Sequence, residues 1–219
     1  DFVTGTAGIT QQKLDQPVAA AVCANGRLYI SDRTNHRVAG FNRIPVTNGA
    51  NMDFVLGQPD YVTDTLVGTS STSFNLPYGV SCISNRLYVA DRGNNRVVVF
   101  NPPPTATATA ASFVVGQPNL TSSTAGADYT SITNYLNNPG FVMYSGSQFF
   151  IVDIGNNRAI VYNALPVAAG ASPQPRHLGD AERDLLIRQA LAHAKALDPI
   201  KAAPERFGYV PNFVKGETV

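Results

Sequence analysis

Charge is what this sequence has least of. Charged residues make up 14% of its 219 residues and the formal net charge is +1, so the broad basic footprint of a nucleic-acid binder is missing. Ahead of the last forty-odd residues there are nine Lys plus Arg against nine Asp. All three glutamates (Glu182, Glu205, Glu217) and three of the four lysines fall within those last residues. No run of about 18 apolar residues occurs, which excludes a membrane-spanning helix. There is no H-x-H, H-E-x-x-H or C-x-x-C pairing for zinc, no G-x-S-x-G for a serine nucleophile and no P-loop lysine. No metal and no cofactor are therefore expected. The opening DFVTGTAGITQQ carries no basic-then-apolar leader, so either a leader has been removed or the chain is a piece of something longer.

What is present is a surface built from Ser, Thr, Asn, Gly, Asp and Arg around an ordinary 44% hydrophobic content. Such a lysine-poor, hydroxyl-rich surface is commoner outside the cell than inside it, and an extracellular or periplasmic location is expected. The composition changes near Ser172–Pro175, dividing the chain into residues 1–173 and 174–219.

The first part repeats itself. DRTNHRVAGFN (32–42), DRGNNRVVVFN (91–101) and DIGNNRAIVYN (153–163) start 59 and 62 residues apart. Each is preceded by a strand-like run, RLYISD (27–32), RLYVAD (86–91) or QFFIVD (148–153). Before those come PVAAAVC, PYGVSC and PGFVMY. Twenty residues beyond Arg37 and Arg96 lie FVLGQP (54–59) and FVVGQP (113–118). Each unit thus holds four short β-rich runs, a to d, cut apart by Gly, Pro and Asn. Runs b and c are apolar at nearly every position, the pattern of strands covered on both faces. Four-stranded units needing neighbours on both sides are the blades of a β-propeller.

The D-x-x-N-x-R turn between an R-L-Y-V run and an R-V-x-V-F run resembles the NHL repeat. The added F-V-x-G-Q-P and the long Ser/Thr/Asn loop after it resemble bacterial, exported NHL-repeat proteins. The resemblance covers residues 1 to about 166, and it implies a propeller, usually six-bladed, used mainly for binding. The fold expected is all-β: three four-stranded NHL-like blades forming an incomplete ring, plus a C-terminal helical tail.

Within each turn, Asp32, Asp91 and Asp153 end run b. Asn35, Asn94 and Asn156 follow, and Arg37, Arg96 and Arg158 open run c. The expectation is structural: the Asp carboxylate accepts from backbone N–H groups two or three residues on, Asn or Gly takes a left-handed backbone, and Arg bridges a carboxylate or carbonyls. The competing reading is a metal or sugar site, but functional sites rarely need the same residues in every repeat. His36 stands where Asn95 and Asn157 stand in the other copies and reads as a surface variant. Cys23 and Cys82 each lie four residues before Arg27 and Arg86. The two could form a disulfide, but that needs Cα atoms within about 7 Å, a close approach for equivalent positions on neighbouring inner strands, so free buried thiols are the expectation over a bond.

The d-to-a connections, 61–76 and 120–138, share one face with the b-to-c turns. Loops of that length are uncommon unless functional or well packed. Tyr61, Phe74, Tyr129 and Tyr135 among hydroxyls and amides suit carbohydrate or peptide recognition, making them the candidate binding residues. The bland alternative is that the loops only cap the blades.

Three blades do not close a propeller, which takes 4–8. FVTG (2–5) repeats run d, and RHLG (176–179) is a degenerate run d after the third repeat, so both ends offer a fourth strand for one blade type. Three outcomes are consistent with this: a homodimer completing a six-bladed ring, a fragment of a longer propeller, or an open arc that polymerises through unpaired edges. From Asp180 a helix is expected, with Leu186, Ile187, Ala190, Leu191, Ala194 and Leu197 on one face and Pro199 as its stop. The function expected is that of a non-enzymatic binding or scaffold protein that assembles with itself. The alternative is a propeller enzyme of the metal-assisted lyase or lactone-hydrolase type. That would require polar side chains on run a, which instead reads VAAAVC, YGVSC and GFVMY.

Overall fold

Short β-branched runs separated by turn residues form eleven strands. They are seen in a computed structural model that describes residues 6–126, 136–145 and 147–169, all within the compact unit Asp1–Pro175. The first sheet holds β1 (Pro17–Val22), β2 (Leu28–Asp32), β3 (Arg37–Phe41) and β4 (Phe54–Leu56) in that order. The second repeats the pattern with β5 (Pro77–Ile83), β6 (Arg86–Asp91), β7 (Arg96–Phe100) and β8 (Phe113–Val115). The third contains β9 (Pro139–Ser145), β10 (Gln148–Asp153) and β11 (Arg158–Tyr162). All pairings are antiparallel between sequence neighbours. These are three blades. The third was expected to have four strands and has three among the described residues. Both sequence candidates for its outer strand, FVTG and RHLG, lie outside them, as does the expected C-terminal helix.

The blades stack face to face because alternate residues of each strand point to opposite sides. Tyr29, Val38, Phe54 and Leu56 of the first blade pack on Val80, Leu87, Val89, Val98 and Phe100 of the second. One step on, Tyr88, Val97, Val99, Phe113 and Val115 pack on Val142, Phe149, Ile151, Ile160 and Tyr162 of the third. Each blade therefore has a following face and a preceding face. β7, in the middle blade, is buried at every position, as a strand covered on both sides must be. Rings tighten both seams, with Tyr29 against Phe54 at 5.9 Å beside the first and Tyr88 against Phe149 at 5.0 Å across the second. The innermost strands lie side by side, β1 on β5 and β5 on β9.

The cysteines overturn an expectation. Cys23 and Cys82 are disulfide-bonded, with Cα atoms 5.2 Å apart. Counted back from the arginines they look equivalent; counted forward from Pro17 and Pro77 they are not. Pairing puts Leu28 opposite Val22 but Leu87 opposite Cys82, so the first blade carries one extra residue in its a–b turn and Val22, not Cys23, matches Cys82. A one-residue offset sends a side chain to the other face. Cys23 thus looks forward from the first blade and Cys82 backward from the second, and they meet across the seam.

Candidate functional site

Each b–c hairpin closes on the register pair Asp32–Arg37, Asp91–Arg96 or Asp153–Arg158. In the second blade the Asp91 Oδ2 accepts from Arg96 Nε at 2.6 Å and from Asn94 Nδ2 at 2.9 Å. Asp91 Oδ1 accepts from the backbone N–H of Asn75 at 2.7 Å. The other blades repeat the arrangement. Asp32 accepts from Arg37, Asn35 and the N–H of Asp15, and Asp153 from Arg158, Asn156 and the N–H of Asn137. Burial pushes the Asp91 carboxyl up, against the opposing pull of Arg96 and the N–H donors around it.

Two details of the expected turn change. The Asp carboxylates do not reach two or three residues on. They reach back 16 or 17 residues to the N–H that precedes strand a of their own blade, while the N–H two residues on from each Asp donates to the carbonyl of that same residue: Thr34 N to Asp15 O, Gly93 N to Asn75 O and Gly155 N to Asn137 O. The left-handed residue is the one after the Asn, namely His36, Asn95 and Asn157, at φ 52°, 52° and 51°. That frees Asn35, Asn94 and Asn156 to hold the carboxylates.

The remaining arginine donors fasten the long connections. Arg96 Nη2 donates to Ser70 O and Ser73 O, at 2.9 and 2.8 Å, and Nη1 to Leu120 O. Arg37 does the same to Thr10, Lys13 and Tyr61 carbonyls. The F-V-x-G-Q-P motif, for which the sequence offered no role, supplies a second anchor. Gln117 Nε2 donates to Asn95 O and Thr124 O, and Gln58 Nε2 to Thr65 O. Gly57 and Gly116 take φ of 90° and 86°, and the space a Cβ would fill is occupied by Phe74 and Leu136.

Of the candidate binding residues, Phe74 is 3% exposed and stacks edge-on against Phe100 inside the first seam. It pins the loop to the seam. Tyr61 is half-buried against Met52 and its neighbours, and its hydroxyl donates to Asp53 O at 2.7 Å. Tyr129 and Tyr135 lie outside the described residues. The 61–76 connection exposes the apolar Val62, Leu66 and Val67 beside Asp64, Thr65 and Thr72. Aliphatic residues scattered through a hydroxyl-rich loop carry no sequence signal that sets them apart from core positions. On the channel side, Arg92 lies over the Tyr78 ring at 5.0 Å, and Tyr78 meets Phe141 edge-on at 5.3 Å. Among the described residues no three His, Cys, Asp or Glu side chains gather as a metal site, and no helix is long and apolar enough to cross a membrane.

His36 is more than a surface variant. Its Nδ1 accepts from Leu76 N, at 3.1 Å, and Asn95 Oδ1 makes the matching bond from Asn138 N at 2.9 Å. Each joins one blade's turn to the start of the next blade. The bond requires a neutral ring, and burial lowers the His36 pKa below its ordinary value near 6.5, with Asp64 opposing. A depressed folded pKa means the stabilisation is complete above that ordinary value and is lost as pH falls through the lower folded one. We expect stability to drop by about 1 kcal/mol, the worth of one hydrogen bond, on acidification from above the ordinary histidine value to below the lowered one. The His36→Asn variant, which carries the residue of the other blades, should lose this pH step while keeping its stability at pH 7.5. Urea unfolding of both proteins from pH 5 to 8 reads the difference.

Stacked antiparallel meanders, two of four strands and one of three among the described residues, each closed by a buried Asp–Asn–Arg knot, define a protein built of β-propeller blades. The NHL repeat matches residues 14–41 and 74–100, so strands a to c of the first two blades are NHL repeats. No curated protein matches the chain.

Proposed function

We propose that the chain is a non-enzymatic binding or scaffold protein, exported to an oxidising compartment, which associates with itself and uses the face of its long connections to hold a partner. One observation supports it most. The polar residues that recur in every blade are engaged with one another and with backbone, as each Asp carboxylate meets its Asn, its Arg and an N–H. They hold the blades; variable loops are left to make contacts. The apolar Val62, Leu66 and Val67 on the 61–76 connection favour a peptide or protein segment over a carbohydrate. The Cys23–Cys82 disulfide favours export, since such bonds persist in oxidising compartments.

The test is to titrate the purified protein with a library of short extended peptides and an array of neutral oligosaccharides. A Leu66→Asp/Val67→Asp variant serves as the comparison. Peptide binding that weakens at least about tenfold in the variant, with an unchanged melting temperature, is the expected result. Binding of oligosaccharides alone would replace the partner class. Neither ligand bound, together with a stoichiometric divalent ion in the purified protein, would overturn the reading in favour of an enzyme.

A further inference from the structure

We infer that a second copy of this chain docks the following face of its third blade onto the preceding face of the first blade, continuing the stack head to tail. The inference rests on the self-associating reading above and names its surface. The chain contains its own template for the contact, because the same two faces meet twice within it.

On strands a and b the first blade leaves more exposed what its siblings bury, while Ala39, Phe41 and Val55 of β3 and β4 on the same face are already buried in a cluster with Met52, Leu14 and Tyr61. Leu87 and Val89 of β6, and Phe149 and Ile151 of β10, are fully buried by the blade before them, whereas Leu28 and Ile30 of β2 are only half-buried. Val80 and Val142 on the inner strands are buried, while Ala20 is exposed. The c-to-d loop shows the same contrast. In the second blade this loop lies back on the first: Ala108 N donates to Val55 O, and Pro104 O accepts from Tyr29 Oη. Pro103 and Pro104 are buried there, and Leu165 and Pro166 of the third blade are half-buried and buried. Their counterparts Ile44 and Pro45 are 55% exposed and half-buried. Val46 is 96% exposed, but its counterparts Thr105 and Val167 are exposed too. Exposure of Ile44 therefore marks a missing neighbour, and exposure of Val46 does not.

The other end shows the complementary deficit. Val38 and Val97 are fully buried on the following faces of the first two blades, and Ala159 at the same place in the third is exposed. Val152 is half-buried on that face, while Phe150 and Val161 are buried. The polar stitch is set at both ends as well. Leu76 and Asn138, which donate to the preceding turn, have φ of 50° and 49°, and Gln16 repeats this at 51°. Asn157 occupies the turn position of His36 and Asn95, also left-handed. Docking brings Asn157 of one copy to the N–H of Gln16 of the other. Two such contacts close two chains into six blades, within the range of closed propellers.

The test is the solution mass of the full chain over a range of concentrations, with Ile44→Asp and Val46→Asp variants and a cross-link. A mass of two chains, at least about tenfold weaker association for Ile44→Asp, and no change for Val46→Asp are expected. Mixing Gln16→Cys with Asn157→Cys protein and adding a short bis-maleimide should give a covalent dimer absent from either alone, since the two native cysteines are already paired. An assembled mass insensitive to Ile44→Asp, with no cross-link, overturns head-to-tail docking and leaves self-association standing. A single-chain mass at every concentration overturns both.

Discussion

Replacing Arg96 by alanine should destabilise the protein by about 3–5 kcal/mol, the range for removing one partner of a buried ion pair. The side chain has no exposed surface and donates to the Asp91 carboxylate and to the carbonyls of Ser70, Ser73 and Leu120. Truncation leaves Asp91, whose carboxyl burial already pushes up, buried without its cation. It also strips three carbonyls of their donor, those of Ser70 and Ser73 in the connection entering the blade and that of Leu120 in the connection leaving it. The loss should appear as a lower urea midpoint at unchanged slope. Arg158→Ala should cost less, because that side chain is 11% exposed and water can reach part of what it leaves. The double variant Asp91→Ala/Arg96→Ala should lose less than the sum of its two single changes, since removing both ends leaves no lone charge. A shift below about 1 kcal/mol for Arg96→Ala would mean the guanidinium is not the anchor the geometry makes it.

The sequence showed the blades plainly, and for a physical reason. Strands covered on both faces must be apolar throughout, so Val97–Phe100 and its repeats stand out even without alternation. The knot residues were equally visible, because the same Asp, Asn and Arg recur in every copy. Their partners were not. Nothing in the string links Asp91 to the N–H of Asn75, 16 residues back, since that contact exists only once strands a and b pair. The burial of Phe74 and the half-burial of Tyr61 are hidden in the sequence in the same way. An aromatic residue in a hydroxyl-rich loop reads as surface until the loop folds back, and Gly57 opens the space that Phe74 enters. The roles of Gly57 and Gln58 needed that fold-back to become legible. The seam at the first blade is clearer in comparison than in isolation: Ile44 looks like any exposed apolar residue until Pro103 and Leu165 show what normally covers it.

Removing the disulfide should cost about 4 kcal/mol on the chain-entropy account, for a closed loop spanning 59 residues of sequence. The loop contains the whole outer part of the first blade, its connection, and the inner strand of the second. In the unfolded chain the bond restrains all of that; in the folded chain it clips the two blades at their innermost strands. The Cys23→Ala/Cys82→Ala variant should therefore show a much lower urea midpoint and a steeper slope, because its unfolded state is less compact. Parent protein in excess reductant should fall to the stability of the variant, and the variant should ignore reductant. That equality separates the bond from the loss of two small buried side chains, which reductant does not remove. Two reactive thiols in unreduced parent protein, with no response to reductant, would show that the cysteines are unpaired. The outcome also bears on where the protein works. A fold that depends on this bond for a large share of its stability, typically 5–15 kcal/mol in total, cannot persist where thiols are kept reduced.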